Sequence, residues 1–342
     1  MIEQSLFGIM ENGREVYLYR ITNQAGEYAE LLSYGASLHR LCVMDRDGEL
    51  GDVVLGEESV DGFAGFCTEG IVVGRCANRI ADARYEIDGQ VYQLEPGRGG
   101  HCLHSGSSNY GQKHFKAILN EEENRVTFLL EDDGACGFDC VVHTSISYTW
   151  NDAHQLIIDY QLTPEGATLL SPTNHSYFNL GCKDARDHIL QINADRVALK
   201  SERGVPEGDV IEVRGTYLDF RTPRLIRDAL KDMIPAKGRR SGFDDNYILN
   251  GTGFREIGNL VSVSSGRKMR AMTDMPGLVL FAASLPEPHQ GKNGMIYDGY
   301  CFVCMETQYI SNAINCEAFQ KPIFRKGEKM ISRTVYEFSV LE

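Results

Sequence analysis

Two stretches of this sequence put proton-handling side chains where apolar ones would be expected. SPTNHSYFNLG (171–181) gathers a histidine, a tyrosine and asparagines around an aromatic residue. Read as an alternating segment, it sets His175, Tyr177 and Asn179 on one face. That is poor core material, since each buried polar group left unpaired costs about 1–3 kcal/mol. YCFVCMETQYI (300–310) is an apolar strand interrupted by one carboxylate, with Phe302, Cys304, Glu306 and Gln308 on one side. Desolvation there should raise the pKa of Glu306, and a raised carboxylate is a natural proton acceptor near neutral pH. Each stretch also has a plainer reading: a hydrogen-bonded histidine near a turn, and a glutamate salt-bridged at a sheet surface.

Other polar residues could serve such a pair. In IVVGRCANRIADARYEIDG (71–89), Arg75, Asn78 and Arg79 interrupt apolar residues, and a guanidinium fork can hold sugar hydroxyls, a carboxylate or simply a surface acid. HCLHSG (101–106) offers His101 and His104, whose spacing on a strand would face them apart and make a poor metal pair. GFDDNYIL (242–249) offers Asp244 and Asp245, with a solvated turn as the bland alternative. Cys301 and Cys304 form a C-x-x-C, but they face opposite ways on a strand and no second pair completes a zinc set. Neither a dinucleotide or P-loop glycine motif nor G-x-S-x-G or HExxH occurs. The inventory points to acid-base chemistry with neither cofactor nor metal.

The elements that must position these residues read as strands. VYLYRI (16–21), RVTFLLE (125–131), TSISYTW (144–150), QLIIDYQL (155–162) and LVLFAASL (278–285) alternate with period two, and Asp-Gly and Glu-Gly turns separate such runs. One segment reads as helix, with Thr222 as N-cap, Pro223 at the first helical position and Leu225, Ile226, Ala229, Leu230 and Met233 at helical spacing. Strands without alternating helices predict an all-β, large antiparallel sandwich with one or two short helices, in one domain over 1–342.

The bulk composition narrows the partners. The formal charge of −14 over 342 residues argues against a nucleic-acid partner, whose binding depends on Lys and Arg neutralising phosphates. The N-terminus is acidic where a signal peptide needs basic residues, and no apolar run approaches the roughly 18 residues of a membrane span. The ten cysteines show no framework spacing. A cytoplasmic chain with free thiols and a small-molecule ligand is expected.

Taken in order, GRCANRI, LHSG, SPTNHSYFNLG, DFRTP (219–223), GFDDNY and METQYI resemble the aldose 1-epimerase (galactose mutarotase) family from about residue 5 to the C-terminus. The resemblance implies that family's antiparallel sandwich with a long groove. It implies His175 as general acid, Glu306 as general base, and Arg79, Asn78, His104 and Asp244 as the residues around a free sugar such as glucose or galactose. The unperturbed pKa values of Glu and His, about 4.3 and 6.5, already favour an ionised Glu306 beside a protonated His175. Departures from the family pattern cluster near the ligand: Ser105 in LHSG, Asp245 after the binding aspartate, Gly97, and Val279 where many members carry a glutamine.

Anomer exchange suits this set. Removing the C1 hydroxyl proton while protonating the ring oxygen opens the ring, rotation about C1–C2 follows, and reclosure gives the other anomer. An acid and a base, each contributing about 10²–10⁴ in rate, could together supply roughly 5–11 kcal/mol. Three alternatives remain at this stage. They are a glycoside hydrolase using Asp244 and Glu306 as paired carboxylates, an enzyme for phosphorylated hexoses using Arg239 or Arg240, and a sugar-binding protein without catalysis.

Overall fold

Alternating side chains need two-sided sheets, and the computed structural model, which describes residues 1–64, 68–233 and 242–341, is built from them. The strands expected at 16–21, 125–131, 144–150, 155–162 and 278–285 coincide with observed ones to within two residues. The chain opens with a five-stranded meander of Ile2–Ile9, Glu15–Thr22, Tyr28–Leu32, Ser37–Met44 and Leu50–Asp52. A nine-stranded sheet follows in the spatial order Lys116–Asn120, Arg125–Asp132, Val142–Trp150, Gln155–Pro164, Met330–Val340, Arg267–Thr273, Arg255–Ser262, His188–Ile192 and Arg224–Leu225. A further five-stranded sheet runs Pro206–Glu212, Arg196–Lys200, Gly242–Ile248, Gly277–Ala283 and Cys304–Gln308. Neighbouring strands in all three are antiparallel.

The nine-stranded sheet is one layer and the two smaller sheets lie against it. On the N-terminal side, Tyr148 donates to the Ala36 carbonyl at 2.7 Å and the Trp150 indole to the Glu27 carbonyl at 3.0 Å. On the other side, Tyr336 donates to the Met305 carbonyl at 2.8 Å. Between the layers one apolar cluster joins Tyr19, Phe128, Trp150, Phe178, Tyr247, Met305 and Tyr336. Burying a side chain such as Phe128 stabilises the fold by roughly 1.5–3 kcal/mol. This is the large antiparallel sandwich expected, with two short α-helices, Val60–Ala64 and Ile226–Lys231, among the described residues.

The helix begins later than its sequence signals. Thr222 and Pro223 do not cap it: Arg224 and Leu225 are extended and pair with Leu190 and Ile189 at the edge of the large sheet. Leu225 occupies the N-cap position with no side-chain cap bond. Pairing of the backbone with an open sheet edge, invisible to local propensity, outweighs the Thr-Pro signal.

The Gly242–Ile248, Gly277–Ala283 and Cys304–Gln308 strands carry two different faces. Phe243, Tyr247, Leu278, Leu280 and Met305 point into the interlayer core. The alternate residues form rows across the opposite face, Asn246–Val279–Glu306 and Asp244–Phe281–Cys304.

Candidate active site

Glu306 sits in the middle of its strand with a side chain only 2% exposed, and His175 meets it from the segment after the Thr173–Asn174 strand. The Nε2 of His175 lies 3.5 Å from Glu306 Oε1. His175 is held by its backbone, which donates to the Ile71 carbonyl and accepts from Gly70 N–H, both at 2.9 Å. Tyr177 stacks on the imidazole at 5.1 Å between centroids, and Phe281 closes it edge-on at 6.1 Å. Glu306 Oε2 and His175 Nδ1 are buried and have no hydrogen-bond partner among the described residues, and neither has Asn246 Nδ2 in the same row. Buried groups are normally paired, so this concentration of unpaired polar atoms marks a place shaped for a polar ligand.

The histidine of HCLHSG that joins them is His104, not His101. Asn78 and His104 both lie in the left-handed region, at φ of 59° and 50°. Reciprocal bonds clasp them: His104 N–H donates to the Asn78 carbonyl at 2.8 Å, and Asn78 N–H donates to His104 Nδ1 at 3.2 Å. An accepting Nδ1 puts the imidazole proton on Nε2, leaving a donor for a ligand. The His104 ring meets that of His175 edge-on at 5.5 Å. His101 instead bonds Asp82 N–H and the Arg203 carbonyl.

Arg79 reaches from a two-residue strand toward Asp244 Oδ2 at 3.9 Å and toward Asn78 Oδ1 at 3.5 Å. The Asp244 carboxylate is 40% exposed at the open rim, and Lys200 holds the same Oδ2 at 2.6 Å. All six residues expected around the ligand are therefore linked, through the His175–Glu306 pair, the His175–His104 contact, the Asn78–His104 clasp, and the Asn78–Arg79–Asp244 chain.

Several expectations need correction. Asn179 does not share the face of His175: its amide caps the turn that follows, bonding Gly181, Cys182 and the Cys301 carbonyl. Asp245 alternates away from Asp244 and is buried on the core side of the sheet. Ser105, at φ 65°, bonds both the N–H and the carbonyl of Cys76, so the hydroxyl supports the loop. Arg75 is fully buried on Asp132, far from playing a rim role. Val279 does lie in the site row, between Asn246 and Glu306, as an apolar step in a polar floor. Arg239 and Arg240 lie outside the described residues.

The protonation order inferred from unperturbed pKa values is also reversed. Burial, with Asp244 adding to it, raises the Glu306 carboxyl to about 8, although Lys200 and Arg79 pull the other way. Burial lowers His175 to about 4 and His104 to about 3. Burial also acts to raise Asp244, but the Lys200 ammonium and then Arg79 outweigh it and keep that carboxyl below its usual range. In the free protein burial thus favours the uncharged form of each member of the central pair, a carboxyl at Glu306 and a neutral imidazole at His175.

Sequence reasoning missed Lys200, which nothing local distinguishes from a surface lysine. Strand neighbourhood finds it: the strand bearing Lys200 pairs with the one bearing Asp244 as far as Ala198–Asn246, and just beyond that last pair the Lys200 ammonium reaches the Asp244 carboxylate. Among the described residues, Glu57, Glu69 and His289 bring donor atoms within 4.8 Å of one another, a spacing a cation could bridge, but none of the six expected site residues belongs to that group. No helix of the described residues is long and apolar enough to cross a membrane.

Known proteins resemble this chain over nearly its whole length. The profile of the family described as aldose 1-epimerase matches residues 17–337. Human galactose mutarotase is 31% identical over 318 residues, covering 91% of each chain. The aldose 1-epimerase of Escherichia coli K12 is 29% identical over 338 residues, 96% of each. A solved GalM/aldose epimerase homologue from C. elegans, 29% identical, superposes with a TM-score of 0.88 over 95% of this chain and 99% of that one. With six ordered motifs, a shared sandwich and a family match across nearly its whole length, this chain belongs to the aldose 1-epimerase family of isomerases, enzymes that interconvert sugar anomers.

Proposed function

We propose that this protein interconverts the α and β anomers of a free aldohexose of the glucose or galactose type. Glu306 takes the proton of the C1 hydroxyl and His175 protonates the ring oxygen, while Arg79, Asn78, His104 and Asp244 hold the remaining hydroxyls. The observation that carries this reading is the buried His175–Glu306 pair, 3.5 Å apart with Oε2 and Nδ1 both lacking partners among the described residues. A sugar's C1 hydroxyl and ring oxygen are bonded to the same carbon, so an acid and a base this close can address both at once.

The proton inventory supports it. Glu306–COOH with neutral His175 and Glu306–COO⁻ with protonated His175 hold the same number of protons, so only an internal transfer separates resting and working forms. A sugar hydroxyl donating to Oε2 stabilises the carboxylate and drives that transfer, because hydrogen bonds to the ionised form favour it. For the same reason the pair titrates as a unit. In the reverse direction the two groups exchange roles.

Polarimetry or NMR anomer exchange on α-glucose and α-galactose tests this, with catalysed mutarotation expected and its absence for every free aldose tried contradicting it. A chromogenic glycoside in parallel tests the paired-carboxylate alternative, and no hydrolysis is expected. Nine described cysteines, none in a disulfide, support the expected cytoplasmic setting.

A further inference from the structure

The geometry points to Lys200 as a positioning residue of the sugar site, one that locks Asp244 Oδ2 so that Oδ1 alone is offered to a substrate hydroxyl. The inference rests on the anomer-exchange reading of the same cleft.

Lys200 ends the Arg196–Lys200 strand, next to the strand that bears Asp244. Its side chain is 9% exposed, yet its ammonium lies 2.6 Å from Asp244 Oδ2, a charge-assisted bond at the short end of the range. Arg79 approaches the same oxygen at 3.9 Å, beyond hydrogen-bond reach. Both cations thus address Oδ2, and Oδ1 has no hydrogen bond or ion pair with a described residue. Without the ammonium, the carboxylate could turn about its terminal torsion, a broad two-fold well, and the acceptor would lose its aim.

Lys200 has a second, electrostatic reach. The charged and titratable groups around Glu306 are His175 at 3.5 Å, Asp244, Lys200 and Arg79, with Tyr177, Cys304 and Tyr336 from the packed elements. Asp244 disfavours ionisation of Glu306, while Lys200 and Arg79 favour it. The lysine therefore helps to make the Glu306 carboxylate accessible inside an apolar wall.

The test is Lys200→Met beside Lys200→Arg, with mutarotation kinetics followed across pH and melting temperature followed in parallel. Lys200→Met is expected to raise KM for the aldose about tenfold, roughly the effect of losing one hydrogen bond to a charged group. It should leave kcat within about threefold and move the alkaline limb of kcat/KM to higher pH, since a cation that favoured the carboxylate is gone. Lys200→Arg is expected to restore most of both. Unchanged KM and limb in Lys200→Met overturn the inference, as does an activity loss that only parallels a lower melting temperature with the limb unmoved. Should Lys200→Met fail to fold, Lys200→Gln carries the same readouts. Wild-type protein inactive on every aldose would contradict the parent reading instead, so the two failures are distinguishable.

Discussion

Arg75 and Arg79 are four residues apart, and their surroundings contrast a charge enclosed by the fold with a half-buried one proposed to meet a ligand. Arg75 is fully buried and fully engaged: Nε on Asp132 at 2.5 Å, the other nitrogens on Thr168 and on the Asp132 and Cys140 carbonyls, with the Phe138 ring 5.1 Å away. Lys292 repeats the pattern, its ammonium shared by Asp52 and the His39 and Val54 carbonyls. Around Arg79 the side-chain approaches are long, and the buried His175–Glu306 pair beyond it keeps atoms without partners among the described residues. Buried polarity is common to both regions, and single unpaired atoms occur near each, at Tyr85 Oη and His39 Nδ1, so it is the grouping of Glu306 Oε2, His175 Nδ1 and Asn246 Nδ2 around one row that singles out the site.

That contrast can be broken first at its functional end. Glu306→Gln and His175→Ala are each expected to lower kcat for mutarotation by about 10²–10⁴; the isosteric Glu306→Gln should cost little melting temperature, whereas His175→Ala also removes a ring packed on Tyr177 and Phe281 and should lower it. A variant within a few-fold of wild type would remove that residue from the chemistry. Arg75→Leu should do the converse. Leaving Asp132 buried and unpaired costs about 3–5 kcal/mol of stability, read as a lower denaturation midpoint, while the molecules still folded keep their KM.

Acid should separate the regions more gently. His39, His104, His175 and His188 are lowered by burial to about 2, 3, 4 and 4. The unfolded chain therefore binds more protons than the native one below about pH 6.5, and stability falls as pH falls through that window by about 1.4 kcal/mol per histidine per unit. Glu306 works in the other direction, since its folded pKa near 8 means that its stabilising contribution is lost as pH rises between about 4.5 and 8. Denaturation midpoints at pH 7 and pH 5.5 should show the net loss on acidification, and Glu306→Gln should enlarge that loss by removing the opposing contribution while flattening the profile between pH 7 and 8. The smallest effect is expected at the loop. Ser105→Gly relieves the left-handed backbone but loses both Cys76 bonds, so stability should move by less than about 1 kcal/mol.

Period-two alternation made the strands legible in the sequence, and an embedded carboxylate made Glu306 legible by the same logic. The His175 segment was legible as unusual, but alternation overextended it to Asn179, because the chain leaves strand geometry there and turns. What stayed hidden depends on register and burial. Lys200 becomes visible only when the strands bearing it and Asp244 are laid side by side. Arg75 and Arg79 look equivalent until one is enclosed. Reference pKa values order Glu306 below His175, while desolvation, which no local pattern encodes, reverses the pair.

The pH dependence of kcat/KM for glucose or galactose mutarotation tests the central claim most directly. A pair that works with one shared proton, in these buried surroundings, predicts a bell with limbs near 4 and near 8 and full activity at pH 7. A profile whose alkaline limb falls near 6.5, as two solvent-exposed groups would give, would contradict the account.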